Sequence, residues 1–341
     1  MLKRTEREIM KNWNGDLDTP VVSICCIAYN HEKYIADALD SFLMQETDFP
    51  FEIIIDDDCS TDATAAVIKT YAEAYPAIVK ANLRQKNVGL YENFLSNATR
   101  AAGTYIAMCE GDDYWIDKHK LQMQFDAMER NPGCSFCGHD VNLVNIDKSL
   151  IRKHSVGRIN ERWNTHVVTS DEALSTPWSI PHTTALFYRR KYFDAAYFRA
   201  LKNNLGFDYL LFVLLCSKGD MYYIGKVMSA WRRYDTSFSG SWVYGYNEAF
   251  MEQVIGVHQR IDAYFDGRYH KGIDIHLNGQ YMIKCEQQLQ MSIEKKQYVE
   301  ALKNLFCMMR HSKNHPYSIR DILWIFRSKL AALRGRHGND Q

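Results

Sequence analysis

The sequence predicts an α/β protein: a doubly wound, mostly parallel, Rossmann-like sheet over residues 20–244, then a helical region over 245–341. Three observations carry this. Apolar runs with strand character alternate with segments of helical period, strand-helix-strand-helix-strand-helix-strand, between residues 21 and 109. The first of these runs, Val21-Val22-Ser23-Ile24-Cys25-Cys26-Ile27-Ala28, is apolar almost throughout, as a strand covered on both faces must be. Polar groups gather where the strands end: Asn30 after the first, Asp56 to Asp58 after the second, Glu110 to Asp113 after the fourth. In open α/β sheets that edge is where ligands bind.

Taken in order, residues 1–19 are polar and form a lead-in. After the first strand, Ile35, Ala38, Leu39, Phe42 and Leu43 recur at helical spacing, which predicts a helix from about His31 to Met44. Phe51 to Ile55 is a second strand. A helix through Ala66, Val67, Thr70, Tyr71 and Ala74 follows, stopped by Pro76. Ile78 to Leu83 is a third strand, Asn87-Val88-Gly89 a turn, Leu90 to Ala101 a third helix and Thr104 to Cys109 the fourth strand. Asp117 to Arg130 reads as helix and Ser135 to Asn145 as strand. Residues 148–170 are irregular, and Ser179 to Arg190 is a loop entering a strand. Tyr209 to Cys216 is apolar on nearly all sides, hence a buried helix, with Asp208 at its N-terminus where a carboxylate suits the unpaired amides. Met221 to Ile224 and Val227 to Trp231 read as two short strands split by Gly225-Lys226, leading into a basic, hydroxyl-rich loop from Arg232 to Gly240. Beyond 245, Glu248 to Phe265, Gln280 to Met291 and Tyr298 to Met309 are helical. A final apolar stripe (Ile319, Ile322, Leu323, Phe326, Leu330, Leu333) is ringed by Arg and Lys. That last helix, 317–336, can pack on the protein, pair with a second copy, or lie on anionic lipid.

Composition bounds the function. The 341 residues carry 41 Lys plus Arg against 41 Asp plus Glu, so no net field argues for a nucleic-acid partner. There is no apolar run of the roughly 18 residues a membrane span needs, and no apolar segment follows the N-terminal charges; the expectation is a cytoplasmic protein, peripheral at the membrane at most. Nine Cys, several in apolar surroundings (Cys25, Cys26, Cys109, Cys216, Cys307), read as buried thiols in a reducing compartment. Cys134-x-x-Cys137-x-His139 has ligand spacing but no second Cys pair to complete a zinc site. Neither a P-loop nor a Gly-x-Gly-x-x-Gly after the first strand is present, which disfavours phosphate cradling by a glycine loop.

The densest chemistry is Glu110-Gly111-Asp112-Asp113-Tyr114-Trp115. Three carboxylates within four residues repel unless a cation or hydrogen bonds compensate. Two explanations fit: an acidic cap for the next helix, or a site for a hard divalent ion that carries phosphate oxygens. If the backbone stays extended, Glu110 and Asp112 point to one side and Asp113 to the other.

These pieces, in this order, resemble the inverting glycosyltransferases of family 2, which have the GT-A fold. Val22 to Asn30 is similar to that family's opening strand and Tyr-Asn turn. Glu52 to Thr64 resembles its acidic second-strand signature, Asn87-Val88-Gly89 its Asn-x-Gly turn, and Glu110 to Trp115 stands at its Asp-x-Asp metal motif. The resemblance covers about residues 20–240. It implies a nucleotide-diphosphate sugar donor, most often a UDP-sugar, bound with Mg²⁺ or Mn²⁺, and a glycan or lipid-linked saccharide acceptor in surface polysaccharide synthesis. By the same resemblance Ala28, Tyr29 and Asn30 border the base, Asp58 contacts it with Asp57 beside it, and Glu110 lies near the ribose. Gly111 makes the turn, Asp112 ligates the metal with Asp113 close by, and Asp208 is the catalytic base. Arg232 and Arg233 face the departing diphosphate, and His182 and Thr183 line the acceptor side. Two departures stand out: Glu110 where the motif begins with Asp, and Tyr234 where relatives often carry His. The alternatives are a sugar-nucleotide nucleotidyltransferase, which would need the missing glycine loop, or a non-catalytic nucleotide-sugar binding protein. Homodimerisation is a further expectation.

Overall fold

The computed structural model describes residues 4–154, 166–176, 180–203, 206–234 and 248–311. The chain divides into two compact units, Met1–Ala173 with Ser179–Tyr234, and Leu174–Trp178 with Asp235–Gln341. The predicted last helix (317–336) and the loop beyond Tyr234 lie outside the described residues, and with them the expected membrane contact.

The first unit is a mixed sheet flanked by helices. The strands are β1 (Val22–Ala28), β2 (Phe51–Asp57), β3 (Val79–Leu83), β4 (Tyr105–Met108), β5 (Tyr114–Trp115), β6 (Cys134–Val144), β7 (Leu150–His154), β8 (His166–Val168), β9 (Phe187–Arg189) and β10 (Asp220–Arg232). The helices are α1 (Glu6–Met10), α2 (Ile35–Leu43), α3 (Thr64–Ala74), α4 (Leu90–Arg100), α5 (Lys120–Arg130), α6 (Ser170–Ser175, whose last two residues belong to the second unit), α7 (Ala195–Ala200) and α8 (Asp208–Cys216). The sheet runs β3-β2-β1-β4-β9-β6-β10-β5, with β7 and β8 attached to β6 and β10. Strands β3, β2, β1 and β4 are all parallel, as the alternation predicts. The second half departs from that pattern. β9 runs antiparallel to both β4 and β6, while β6 and β10 pair in parallel. The result is a GT-A-like mixed sheet.

β1 is buried along its whole length, and Ile35, Ala38, Leu39, Phe42 and Leu43 of α2 are buried in the same core. The lead-in is not loose: Thr5 and Glu8 form a reciprocal N-terminal cap on α1, and Ile9 reaches the same core. Asp56, the extra carboxylate before the expected pair, is fully buried. Arg100, Arg84, Asn82 and Asn97 all donate to it, so it ties β2 to β3 and α4 rather than facing a ligand.

Two sequence expectations are corrected here. Gly225-Lys226 does not separate two strands; it is a register slip inside the single strand β10, where the pairing with β6 jumps between Ile224 and Val227. The backbone also does not stay extended after β4. It turns at Gly111-Asp112, closed by the Asp113 amide donating to the Glu110 carbonyl at 3.1 Å.

The second unit contains α9 (Glu248–Tyr264), α10 (His270–Glu294) and α11 (Tyr298–His311). α10 begins well before the helix predicted from Gln280 and runs through Gly272, where a Cβ would lie 2.8 Å from the Leu174 Cβ. Met282, Leu289, Ile293, Ala301, Leu305 and Met308 form the core between α10 and α11. Cys307, expected as a thiol, is paired with Cys285 in a disulfide, because these two helices bring the Cα atoms to 6.2 Å. No helix among the described residues is long and apolar enough to cross a membrane.

Candidate active site

Register brings the polar strand ends together. Ala28 pairs with Asp57 across β1 and β2, and the Asp58 amide extends the ladder by donating to the Ala28 carbonyl at 2.9 Å. On the other side of β1, the Gly111 amide donates to the Ile27 carbonyl at 2.9 Å. Antiparallel pairing of β5 with β10 matches Tyr114 to Ala230, which carries Arg232 to the acidic turn.

At the β1 end, Tyr29 is 46% exposed and presents an open ring. Asn30 takes the left-handed conformation (φ 56°), and its side chain accepts from the Thr61 amide at 2.9 Å. The Asp57 carboxylate accepts from the Ser60 amide at 3.0 Å and from the Ser60 hydroxyl. Asp58 accepts from the Val88 and Gly89 amides, each at 2.8 Å. The Asn-x-Gly turn is therefore capped by the aspartate that the sequence resemblance places at the base.

The acidic turn is held from several directions. The Thr183 hydroxyl donates to Glu110 Oε2 at 2.6 Å. Desolvation, then the charges of Asp112 and Asp208, push the Glu110 carboxyl up to about 7, while the Thr183 hydrogen bond opposes the rise. Asp113 is buried; burial and the neighbouring charges of Asp112 and Glu110 raise its carboxyl well above the ordinary range. Its Oδ1 accepts from the Arg232 amide at 2.8 Å, and its Oδ2 lies 3.8 Å from His182 Nδ1. Asp112 is half-buried, with Oδ2 accepting from the Tyr234 hydroxyl at 2.9 Å and lying 4.0 Å from His31 Nε2.

Asp208 is exposed, and partial desolvation by the protein around it raises its carboxyl. The Tyr209 amide, donating at 2.8 Å, works against the rise. Arg233 is exposed. Arg232 is fully buried; it donates to Asp37 Oδ2 at 2.7 Å and to the Asp112 carbonyl, and it stacks between the rings of Tyr34 and Tyr114. Sequence reasoning did not anticipate Asp37 or Tyr34, which lie on or beside α2 and read as its solvent face. His31 and Lys120 were likewise unassigned.

Gly111 has a specific steric reason. A Cβ there would meet Ile35 Cδ1 at 2.7 Å, His31 Nδ1 at 3.0 Å and Ala28 Cβ at 3.2 Å. Gly111→Ala is expected to displace the acidic turn at a cost of about 1–3 kcal/mol. The fold should be kept, with the melting temperature lowered by roughly 2–12 °C, as that cost predicts for a unit of this size. Melting curves check this; an unchanged melting temperature would show that the turn absorbs the methyl.

The profile of "Glycosyl transferase family 2" matches residues 23–196. The chain belongs to that family. It is 36% identical over 213 residues to the uncharacterized protein Rv1520 of Mycobacterium tuberculosis, a match covering 62% of this chain and 59% of that protein. The chain thus spans less than two thirds of that relative's length. Among solved structures it resembles S. aureus TarS 1–349 in complex with UDP-GlcNAc (TM-score 0.59, 16% identity, 92% of this chain and 91% of that one). It also resembles the mannosyltransferase PcManGT from Pyrobaculum calidifontis in complex with GDP-Man and Mn2+ (TM-score 0.53, 14% identity, 96% and 91%). At these identities the structural likeness speaks to fold.

Proposed function

We propose that this family 2 member transfers a sugar, with inversion, from a nucleotide-diphosphate donor to a hydroxyl of a glycan or lipid-linked saccharide. The observation that supports this best is the gathering of Asp57, Asp58 and the Glu110–Asp113 turn around the end of β1, where the Asp58 amide donates to Ala28 and the Gly111 amide to Ile27. A donor seated on that turn would present its anomeric carbon to an acceptor oxygen beside Asp208.

In this reading Ala28, Tyr29 and Asn30 border the base, with Asp57 and Asp58 at its edge and Glu110 near the ribose. Asp112 and Asp113 fit a hard cation by their chemistry: two crowded carboxylates supply oxygen ligands, and the donor diphosphate supplies more. Among the described residues no group of three or more His, Cys, Asp or Glu is arranged to hold a metal ion. Bound Mg²⁺ or Mn²⁺ would neutralise diphosphate charge. Asp208 takes the acceptor hydroxyl's proton as that oxygen bonds to the anomeric carbon and the carbon–diphosphate oxygen bond breaks. In this reading exposed Arg233 meets the departing charge, and buried Arg232, bonded to the Asp112 carbonyl, adds positive potential at the turn. Peripheral attachment at the inner membrane face through 317–336 belongs to this proposal.

The two structural neighbours hold different donors, UDP-GlcNAc and GDP-Man, so the test is a screen. Purified protein with Mn²⁺ should bind at least one UDP- or GDP-sugar and release its nucleotide, and chelation by EDTA should abolish both. Failure to bind every such donor would end the proposal.

A further inference from the structure

Lys120 opens α5 with its side chain wholly out of solvent, an unusual place for a primary amine. The titratable groups facing it are the Cys109 thiol of the β4 end and Cys137 and His139 of β6; no carboxylate acts on it among the described residues. Burial pushes its ammonium down to about 7. The same helix buries Leu121, Ala127 and Met128, so volume alone would be filled by an apolar residue at far lower desolvation cost. A donor must be needed there.

Its contacts say what for. Lys120 Nζ donates to Gln124 Oε1 at 2.7 Å and sits 3.9 Å above the centre of the Trp115 ring. Gln124 Nε2 then donates to the Ala185 carbonyl at 2.9 Å, and Trp115 Nε1 to the Thr184 carbonyl at 3.1 Å. Both side chains that Lys120 touches therefore grip one short turn, Thr183–Ala185. That turn carries Thr183, which donates to Glu110, and is preceded by His182, which stands beside Asp113 with its ring stacked on Trp231 at 4.7 Å. A fixed Gln124 amide orientation matters here. The Lys120 amine donates to the Gln124 oxygen, which leaves the amide nitrogen for the Ala185 carbonyl.

We propose that Lys120 is a positioning residue for the transfer reaction: through Gln124 and Trp115 it sets the Thr183–Ala185 turn and so holds Thr183 on Glu110 and His182 beside Asp113. This rests on the function proposed above, and the experiment separates the two. Hydrogen exchange of residues 180–189 is compared in the parent, Lys120→Met and Gln124→Ala. Both variants should exchange faster there, by about tenfold or more, with β1 and β2 unchanged, as local loosening requires. Nucleotide release from UDP-GlcNAc or GDP-mannose is then measured in a double-mutant cycle of Lys120→Met with Thr183→Val. Lys120→Met should keep donor affinity and lower turnover, and its effect should shrink in the Thr183→Val background, since the two act through one turn. Unchanged exchange at 180–189, or strictly additive losses, would overturn the proposal. A parent that binds no donor would count against the proposed function, while the exchange comparison would still decide whether Lys120 holds the turn. Should Lys120→Met not fold, Gln124→Ala carries both measurements.

Discussion

Asp208→Asn is expected to lower sugar transfer by about 10²- to 10⁴-fold, the range lost with a general base, and to leave donor binding intact. Asn preserves the shape and the oxygen that accepts from the Tyr209 amide, but it cannot take a proton. The parent's pH profile adds a second check. Desolvation raises the Asp208 carboxyl, and the base works only when ionised, so activity should fall with acid at a pH above the ordinary aspartate value of 3.8. The stability consequence has the opposite sense. A carboxyl raised in the folded state stabilises fully only below its unfolded value, and that contribution is lost as pH rises through the folded value. At pH 7 the ionised Asp208 therefore costs stability, and the Asn variant should melt at the same temperature as the parent or higher. At pH 4 that advantage should vanish. Transfer that survives the substitution would remove Asp208 as base; a fall in melting temperature at pH 7 would show instead that its carboxylate is structurally paired.

The part of the site most legible in the sequence is the part built by regular alternation. β1, β2, β3 and β4 could be read from apolar runs, and parallel pairing follows from the helices between them, so Ala28, Asp58 and Glu110 converge without further information. What stayed hidden depends on contacts between segments far apart in sequence. Arg232 reads in sequence as part of a basic loop facing a diphosphate, and Lys120 as an ordinary cation at a helix start. Only the fold shows Arg232 between two Tyr rings and Lys120 over Trp115. The reversal at β9 was equally invisible: Phe187-Tyr188-Arg189 reads as a strand of either direction, and its antiparallel pairing with β4 is set by the partners. Cys285 and Cys307 pair because two helices of the second unit pack together, which spacing alone does not fix.

Arg232→Met is expected to be the most destabilising single change at the site. Arg232 is buried; its guanidinium bridges the Asp37 carboxylate and the Asp112 carbonyl, with Nε buried and lacking a hydrogen-bond partner among the described residues. Met fills most of the volume but removes the guanidinium from the acidic turn, and leaves Asp37 with exposed Lys148 at 2.7 Å as its ion-pair partner among the described residues. Asp37 keeps 31% of its side chain exposed, so losing these charged hydrogen bonds costs about 1.5–3 kcal/mol. In a unit of this size that corresponds to roughly 3–12 °C of melting temperature. Arg232→Lys should recover little, because one ammonium cannot reach both the Asp37 carboxylate and the Asp112 carbonyl and does not stack as a plane between Tyr34 and Tyr114. Thermal unfolding of the three proteins, with and without Mn²⁺ and donor nucleotide, distinguishes the two possible roles of this residue. A large melting loss without ligand identifies Arg232 as the counter-charge that keeps the acidic turn folded. A variant that melts like the parent yet loses donor affinity would assign its guanidinium to the diphosphate instead.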